Sequence, residues 1–338
     1  RKVQGKLECG KHGAADMAAR AAAGVCSGPN GGALFFMEKQ LIVTYYHHSG
    51  FSVASGDILL VFDYWLGEHQ ELPQDKQITP ETLKKYSKTY VFISHEHPDH
   101  MDPVVFTWRE VADVTYIVSG DMPVGTRGRR MNAGDTLTLS DRLTVQAYPS
   151  TDLGVSFLVE VDGFRVFHAG DLNFWHWRDE STVKEIEEAE EDFHAAMRPI
   201  EGQSIDLAFF PVDPRQGQMY DAGANYFIMT VKPKLLVPMH FWGRGDLAAE
   251  YARRSRNRDT EVLALTHYGE QMILERDEQG TLSVTQLVPE PPAVSKEPAM
   301  VIPVEEELPP DEIQVNLRGY DEHDPFNDTD LPVDIDKE

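Results

Sequence analysis

Three histidines and an aspartate fall within the run Ser-His-Glu-His-Pro-Asp-His at positions 94–100. His95, His97, Asp99 and His100 carry the imidazole and carboxylate donors that zinc and similar divalent ions prefer. The run follows the apolar stretch Tyr90-Val91-Phe92-Ile93, so the donors gather where a buried strand should end. Histidines two residues apart on an extended chain project the same way, and Asp-His after a proline can turn back toward the same point. A divalent ion held there lowers the pKa of a ligated water from about 15.7 toward about 7 and so provides a hydroxide nucleophile at neutral pH. The same ion, or a second one, can polarise a scissile carbonyl or phosphoryl group. These residues point to metal-assisted hydrolysis.

Further donors stand at the ends of other apolar runs: Phe167-His168-Ala169-Gly170-Asp171, Leu235-Leu236-Val237-Pro238-Met239-His240, Tyr45-Tyr46-His47-His48 and Val61-Phe62-Asp63. Polar groups at the ends of successive strands let a scaffold assemble a site from distant sequence. Strands are expected at 40–46, 58–62, 90–94, 115–118, 136–139, 143–148, 155–161, 164–168, 206–212, 234–238 and 261–267, with a hairpin turn at Asp162-Gly163. Helices are expected at 80–86, 182–197 and 246–254, the second opening with the capping-box pattern Thr182-Val183-Lys184-Glu185. Groups of strands with helices inserted between them suit two packed sheets with helices outside, an α+β architecture.

The chain divides into three parts. Residues 1–36 are rich in Ala and Gly, hold both cysteines, Cys9 and Cys26, and read as an atypical, disordered extension. Residues 37–288 carry the patterned segments. Residues 289–338 read as an acidic, Pro-rich disordered tail: from Glu290 onward 15 acidic residues face 3 basic ones. The whole chain of 338 residues has a formal charge of −25, which repels phosphate backbones and disfavours nucleic acid as a partner. No apolar run approaches the roughly 20 residues of a membrane span, so a cytoplasmic protein acting on a small molecule is the default expectation, with a homo-oligomer left open.

The motif His95-Glu96-His97-Pro98-Asp99-His100, then Gly170-Asp171, then His240, in that order, resembles the metallo-β-lactamase superfamily of metal-dependent hydrolases over about residues 40–270. Tyr46-His47-His48-Ser49-Gly50-Phe51 followed by Phe62-Asp63 is similar to its branch containing ascorbate-6-phosphate lactonase. The resemblance implies a four-layer αββα sandwich with the site at one edge of the sheets. It implies that His95 and His97 bind one metal, that Asp99, His100 and His240 bind another, and that Asp171 bridges them. The ions would be zinc, one or two of them, with manganese as the alternative. The family's further histidine is absent from Tyr148-Pro149-Ser150-Thr151-Asp152-Leu153-Gly154, which leaves three alternatives: Asp152 as a substitute, a water, or an emptied, weaker first site.

Asp99, His48 and Asp63 are the candidate catalytic or ligand-orienting groups. Trp175, His176 and Trp242 are candidate substrate walls, and Arg215 or Arg244 could hold an anionic substituent. The implied substrate is a small lactone, ester or phosphoester. The alternatives are a metal-dependent phosphodiesterase or nuclease, and a non-catalytic metal-binding protein.

Overall fold

The computed structural model describes residues 39–177 and 180–287. The expected extension over 1–36 and the expected tail over 289–338 lie outside the described residues.

Two mixed sheets face each other. The strands of the first half are β1 (Lys39–Tyr45), β2 (Phe51–Ser55), β3 (Ile58–Phe62), β4 (Lys88–Ile93), β5 (Val114–Ser119) and β6 (Arg129–Met131). Those of the second are β7 (Thr136–Ser140), β8 (Leu143–Pro149), β9 (Val155–Val161), β10 (Phe164–His168), β11 (Leu207–Pro211), β12 (Leu235–Met239) and β13 (Glu261–Val262). The hairpin β14 (Gln271–Arg276) and β15 (Leu282–Leu287) returns to the first sheet, giving the orders β15-β14-β1-β2-β3-β4-β5-β6 and β13-β12-β11-β10-β9-β8-β7. Among the described residues four α-helices, α1 (Pro80–Leu83), α2 (Val183–Met197), α3 (Ala222–Thr230) and α4 (Gly245–Ser255), accompany the sheets.

Strands β3, β4 and β11 are buried along nearly their whole length, which is why they read as unbroken apolar runs. The core between the sheets is aromatic: Phe51 of β2 stacks on Phe209 of β11 at 4.2 Å, and Phe92 of β4 meets Phe157 of β9 at 5.4 Å. Helix α2 turns Phe193, Ala196 and Met197 inward and starts with a complete capping box, Glu185 N–H on Thr182 Oγ1 and Thr182 N–H on Glu185 Oε2. A second apolar cluster covers the other face of the first sheet, where Leu83 and Trp108 pack over Val61, Val91 and Val118. The result is the expected layered α+β sandwich. None of the described helices is long and apolar enough to cross a membrane.

The structure departs from the sequence reading in places. The first helix stops at Leu83 rather than running to 86, and the strand expected at 261–267 pairs only over Glu261–Val262. Strands β2, β6, β14 and β15 and helix α3 were not among the expected elements.

Strands β3 and β4 run parallel, as do β10, β11 and β12, and the site residues emerge at their C-terminal ends. The β1–β2 and β8–β9 loops open on the same edge, because each precedes a strand antiparallel to that set. The opposite edge is tied by Arg142, whose guanidinium bonds Asp57 of the β2–β3 turn at 2.7 Å and Asp162 of the β9–β10 turn at 2.7 and 2.9 Å. Arg142 chiefly, helped by Ser55, holds the Asp162 carboxyl below its ordinary 3.8. A depressed carboxylate contributes its full stability above the ordinary value and loses it as pH falls from there through the lower value it has in the folded protein. Arg142→Ala should therefore lower Tm by about 2–4 °C at pH 7, the effect of roughly 1 kcal/mol from a half-exposed pair. Thermal melts against pH should show the gap to the wild type closing below pH 3.8.

Candidate metal centre

Each donor of the 94–100 run is placed by local backbone. Ser94 follows β4 and donates both its N–H (2.8 Å) and its Oγ–H (2.6 Å) to Asp63, the residue that follows β3. Pro98 opens a 3-10 turn, Pro98–His100, that swings Asp99 and His100 back toward His95. His48, Asp63 and His240 all have positive φ, at 53°, 39° and 61°. Non-glycine residues rarely adopt this conformation, and its cost is tolerated where a side chain must be aimed.

Asp171, at the end of β10, sits at the middle. Its Oδ2 lies 3.4 Å from His95 Nε2 and 4.0 Å from His97 Nδ1, while its Oδ1 lies 2.9 Å from His100 Nε2 and 3.3 Å from His240 Nε2. Each carboxylate oxygen thus faces its own pair of histidines. Asp152 Oδ2 comes within 3.9 Å of His97 Nδ1, and Asp99 Oδ2 lies 3.2 Å from His48 Nε2 and 3.8 Å from His240 Nε2. Three overlapping sets could hold a cation: His48, Asp99, His100 and His240; His95, His100 and Asp171; and His97, Asp152 and Asp171.

The outer nitrogens are engaged so that the inner ones stay available. His100 Nδ1 meets Asp63 Oδ2 at 2.8 Å, and His240 Nδ1 meets Asp213 Oδ2 at 3.0 Å. The Ser94 hydroxyl gives its proton to Asp63, so at 2.9 Å its oxygen accepts from His95 Nδ1. In the neutral imidazoles that a cation would require, these partners hold the proton on Nδ1 and turn Nε2 toward the centre, where His95 Nε2 also meets His97 Nδ1 at 3.0 Å.

Those inner atoms fit a cation. His48 Nε2, His100 Nε2, His240 Nε2 and Asp171 Oδ1 are buried and have no hydrogen bond among the described residues. His100 Nε2 and Asp171 Oδ1 approach to 2.9 Å at an angle wrong for one. Buried polar atoms are costly when unpaired, and several converging on one point ask for a ligand that accepts lone pairs. Burial would raise the Asp171 carboxyl, but the positive charge that His100 and His240 carry when protonated prevails and holds it well below the usual range. Burial, with His240 beside it, pushes His48 down to about 3, so its imidazole is neutral at neutral pH.

The centre opens into a cleft of about 670 Å³. Four of the chain's five tryptophans line it, Trp65, Trp175, Trp177 and Trp242, along with Arg215. Trp175 is pinned by its indole N–H to the Asp171 carbonyl at 2.9 Å. The structure places two expected substrate residues, Trp175 and Trp242, on this wall. It does not place His176 there, since that ring packs edge-on against Phe174 instead. Arg244 is likewise outside the cleft and paired with Asp246. Asp63 is fully buried behind His100, out of reach of the cleft, and its position is that of an orienting group rather than a reacting one.

Asp213 and Trp65 were missed. Asp213 follows the apolar β11 as Asp63 follows β3, a parallel that could have flagged it. Trp65 lies in Tyr64-Trp65-Leu66, which reads as core and offers no such signal.

Residues 42–240 match the model of the beta-lactamase superfamily domain, more than half of the chain. The chain belongs to the metallo-β-lactamase superfamily. Relatives within the superfamily include a UPF0173 metal-dependent hydrolase of Pyrobaculum calidifontis, 24% identical over 59% of this chain and 83% of its own length. A second, from Archaeoglobus fulgidus, is 27% identical over 59% of this chain and 82% of its own. A metallo hydrolase of Ignicoccus hospitalis, 19% identical, shares the superfamily fold with a TM-score of 0.51 over 69% of this chain and 98% of that one. The protein is a metal-dependent hydrolase of this superfamily.

Proposed function

We propose that the protein hydrolyses a small lactone, ester or phosphoester, as a member of the lactonase-like branch, with one or two zinc ions at the Asp171 centre. The carrying observation is the two-sided environment of Asp171, one oxygen toward His95 and His97, the other toward His100 and His240. On this reading His95, His97, Asp152 and Asp171 hold one cation, and Asp99, His100, His240 and Asp171 the other. His48 is an added donor to the second set. When bound, such an ion supplies Lewis acidity and makes water nucleophilic at neutral pH.

The rest of the chemistry belongs to the chain. Asp63, Asp213 and Ser94 fix the histidine tautomers. Asp99, partly open to the cleft and 3.2 Å from His48 Nε2, is placed to accept a proton from an attacking water. The tryptophan walls exclude bulk water and offer flat apolar surface to a small substrate. A cleft of this size falls in the range of small-molecule sites. Among the described residues Arg215 is the only lysine or arginine lining it, which gives a nucleic-acid backbone nothing to follow.

Elemental analysis of protein purified without chelator, paired with turnover of lactone, ester and phosphodiester panels, tests this reading. We expect one to two zinc ions per chain, loss of turnover on chelation and recovery with zinc or manganese. Metal-loaded protein that turns over none of the panel would sink it in favour of a non-catalytic metal-binding protein.

A further inference from the structure

Among the described residues the cleft wall holds one permanently charged cation, Arg215, and it is built in firmly. Arg215 lies on the 3-10 turn Pro214–Met219 directly after Asp213. Its Nε is 3.0 and 2.9 Å from the two Asp213 carboxylate oxygens, and its Nη2 is 2.6 Å from Oδ2. The guanidinium also lies over two indoles, 4.6 Å from the Trp242 ring and 5.5 Å from that of Trp177. Asp213 itself is fully buried, whereas the arginine side chain remains 48% exposed in the cleft wall. Its Nη1 has no hydrogen bond among the described residues, and the other charged groups lining the cleft, Glu68, Asp99, Asp152 and Asp171, are carboxylates.

An exposed arginine ordinarily loses rotamer freedom when it grips an anion. Here a buried carboxylate and two rings have already fixed the guanidinium, with one edge still offered to the cleft. A group needed only to neutralise Asp213 would not have to present that edge. The same carboxylate also holds His240 Nδ1 and accepts from Trp242 Nε1 at 3.3 Å, so the cation keeps a fixed position relative to the centre.

We propose that Arg215 is the specificity-determining residue of this cleft, and that the substrate carries an anionic substituent, remote from its scissile bond, on a ring that packs against the tryptophans. This rests on the hydrolase reading above and narrows its substrate class. Three of the four cleft carboxylates belong to the metal-binding sets, so bound ions would offset them and leave Glu68 as the one uncommitted carboxylate of the lining, while the Arg215 edge turned away from Asp213 stays available to an anion.

The test compares two esters of equal shape, 4-carboxyphenyl acetate and 4-carbamoylphenyl acetate, on the metal-loaded full chain, with rates normalised to their uncatalysed hydrolysis. Hydrolysis breaks the acetyl–oxygen bond with one water, giving acetate and the phenol in both cases. The expected kcat/KM preference for the carboxylate is about ten- to hundredfold, the worth of one charge-assisted hydrogen-bonded contact, and it should reside in KM. Arg215→Gln should bring the ratio close to one, and Arg215→Lys, which keeps the charge but not the fork, should retain part of it. Any disturbance of His240 through Asp213 affects both esters and cancels in the ratio. A wild-type ratio near one, or a ratio unchanged in Arg215→Gln, would overturn the proposal. If neither ester is hydrolysed, that failure falls on the ester-hydrolase reading. The same pair is then titrated as ligands by tryptophan fluorescence: a carboxylate preference lost in Arg215→Gln supports the proposal, and equal binding in both proteins overturns it.

Discussion

Asp171→Asn should abolish metal binding at both halves of the centre and reduce hydrolysis by about three orders of magnitude, the several kcal/mol that a Lewis acid supplies. Asparagine keeps the volume of the buried side chain but removes its charge and replaces one acceptor with a donor. Because Asp171 Oδ2 faces His95 and His97 while Oδ1 faces His100 and His240, no orientation of the amide serves both sides. One side would meet an N–H pointing at an imidazole lone pair. Asp99→Asn should behave differently, since Asp99 approaches only His48, His100 and His240, and the His95–His97 side keeps its carboxylates. Metal per chain by elemental analysis separates the cases: near zero for Asp171→Asn, about half the wild-type content for Asp99→Asn. Melting curves give an independent reading, because a cation that binds only the folded state raises Tm with its concentration. Added zinc should raise the wild-type Tm and leave that of Asp171→Asn unmoved. Wild-type metal content in the asparagine variant would remove Asp171 from the centre.

The fold was legible wherever burial on both faces left a continuous apolar run, as in β3, β4 and β11. It was illegible where pairing depends on partners far away in sequence. The edge strand β15 alternates half-buried and exposed residues, and β14 offers only the three-residue apolar run Met272-Ile273-Leu274, with Gln271 before it and Glu275 after it. Helix α3 contains Gly223 and Asn225, poor helix formers, and is held by burying Phe227 and Ile228 rather than by propensity. Local spacing was enough to read the 94–100 motif as a cluster of donors, because strand period and a proline turn act within a few residues. Asp152 could be suspected as the substitute for an absent histidine; its 3.9 Å approach to His97 follows from how the β8–β9 loop folds over the end of β4. Asp213 shows the limit. Pro211-Val212-Asp213-Pro214 reads as a turn, and only the register of β11 against β12 brings that carboxylate to His240.

That folding-over of the β8–β9 loop predicts a second large effect, at a residue with no chemistry of its own. Gly154→Ala should lower Tm by roughly 5–20 °C and deplete the metal even in protein that remains folded. Gly154 has φ +79°, and a Cβ added there would lie 1.9 Å from the Ser94 carbonyl oxygen and 2.6 Å from His95 Cβ. The obstacle is backbone, which cannot rotate away as a side-chain tip can. Left-handed alanine costs about 1–2 kcal/mol and forced overpacking about 1–3, together a large part of the 5–15 kcal/mol by which domains are stable. The displacement would also be aimed. Val155 N–H donates to the same Ser94 oxygen at 3.1 Å, and Ser94 in turn positions Asp63 through two hydrogen bonds and His95 through a third. Moving Ser94 therefore disturbs the Nδ1 partners of both His95 and His100. Gly202→Ala isolates the contribution of the close approach: its φ is +81° but nothing lies within 4 Å of the added carbon. That control should cost about 1–2 kcal/mol and keep its metal. Equal losses of Tm in the two variants, with metal retained in both, would mean that the packing of residue 154 against Ser94 does not govern the site.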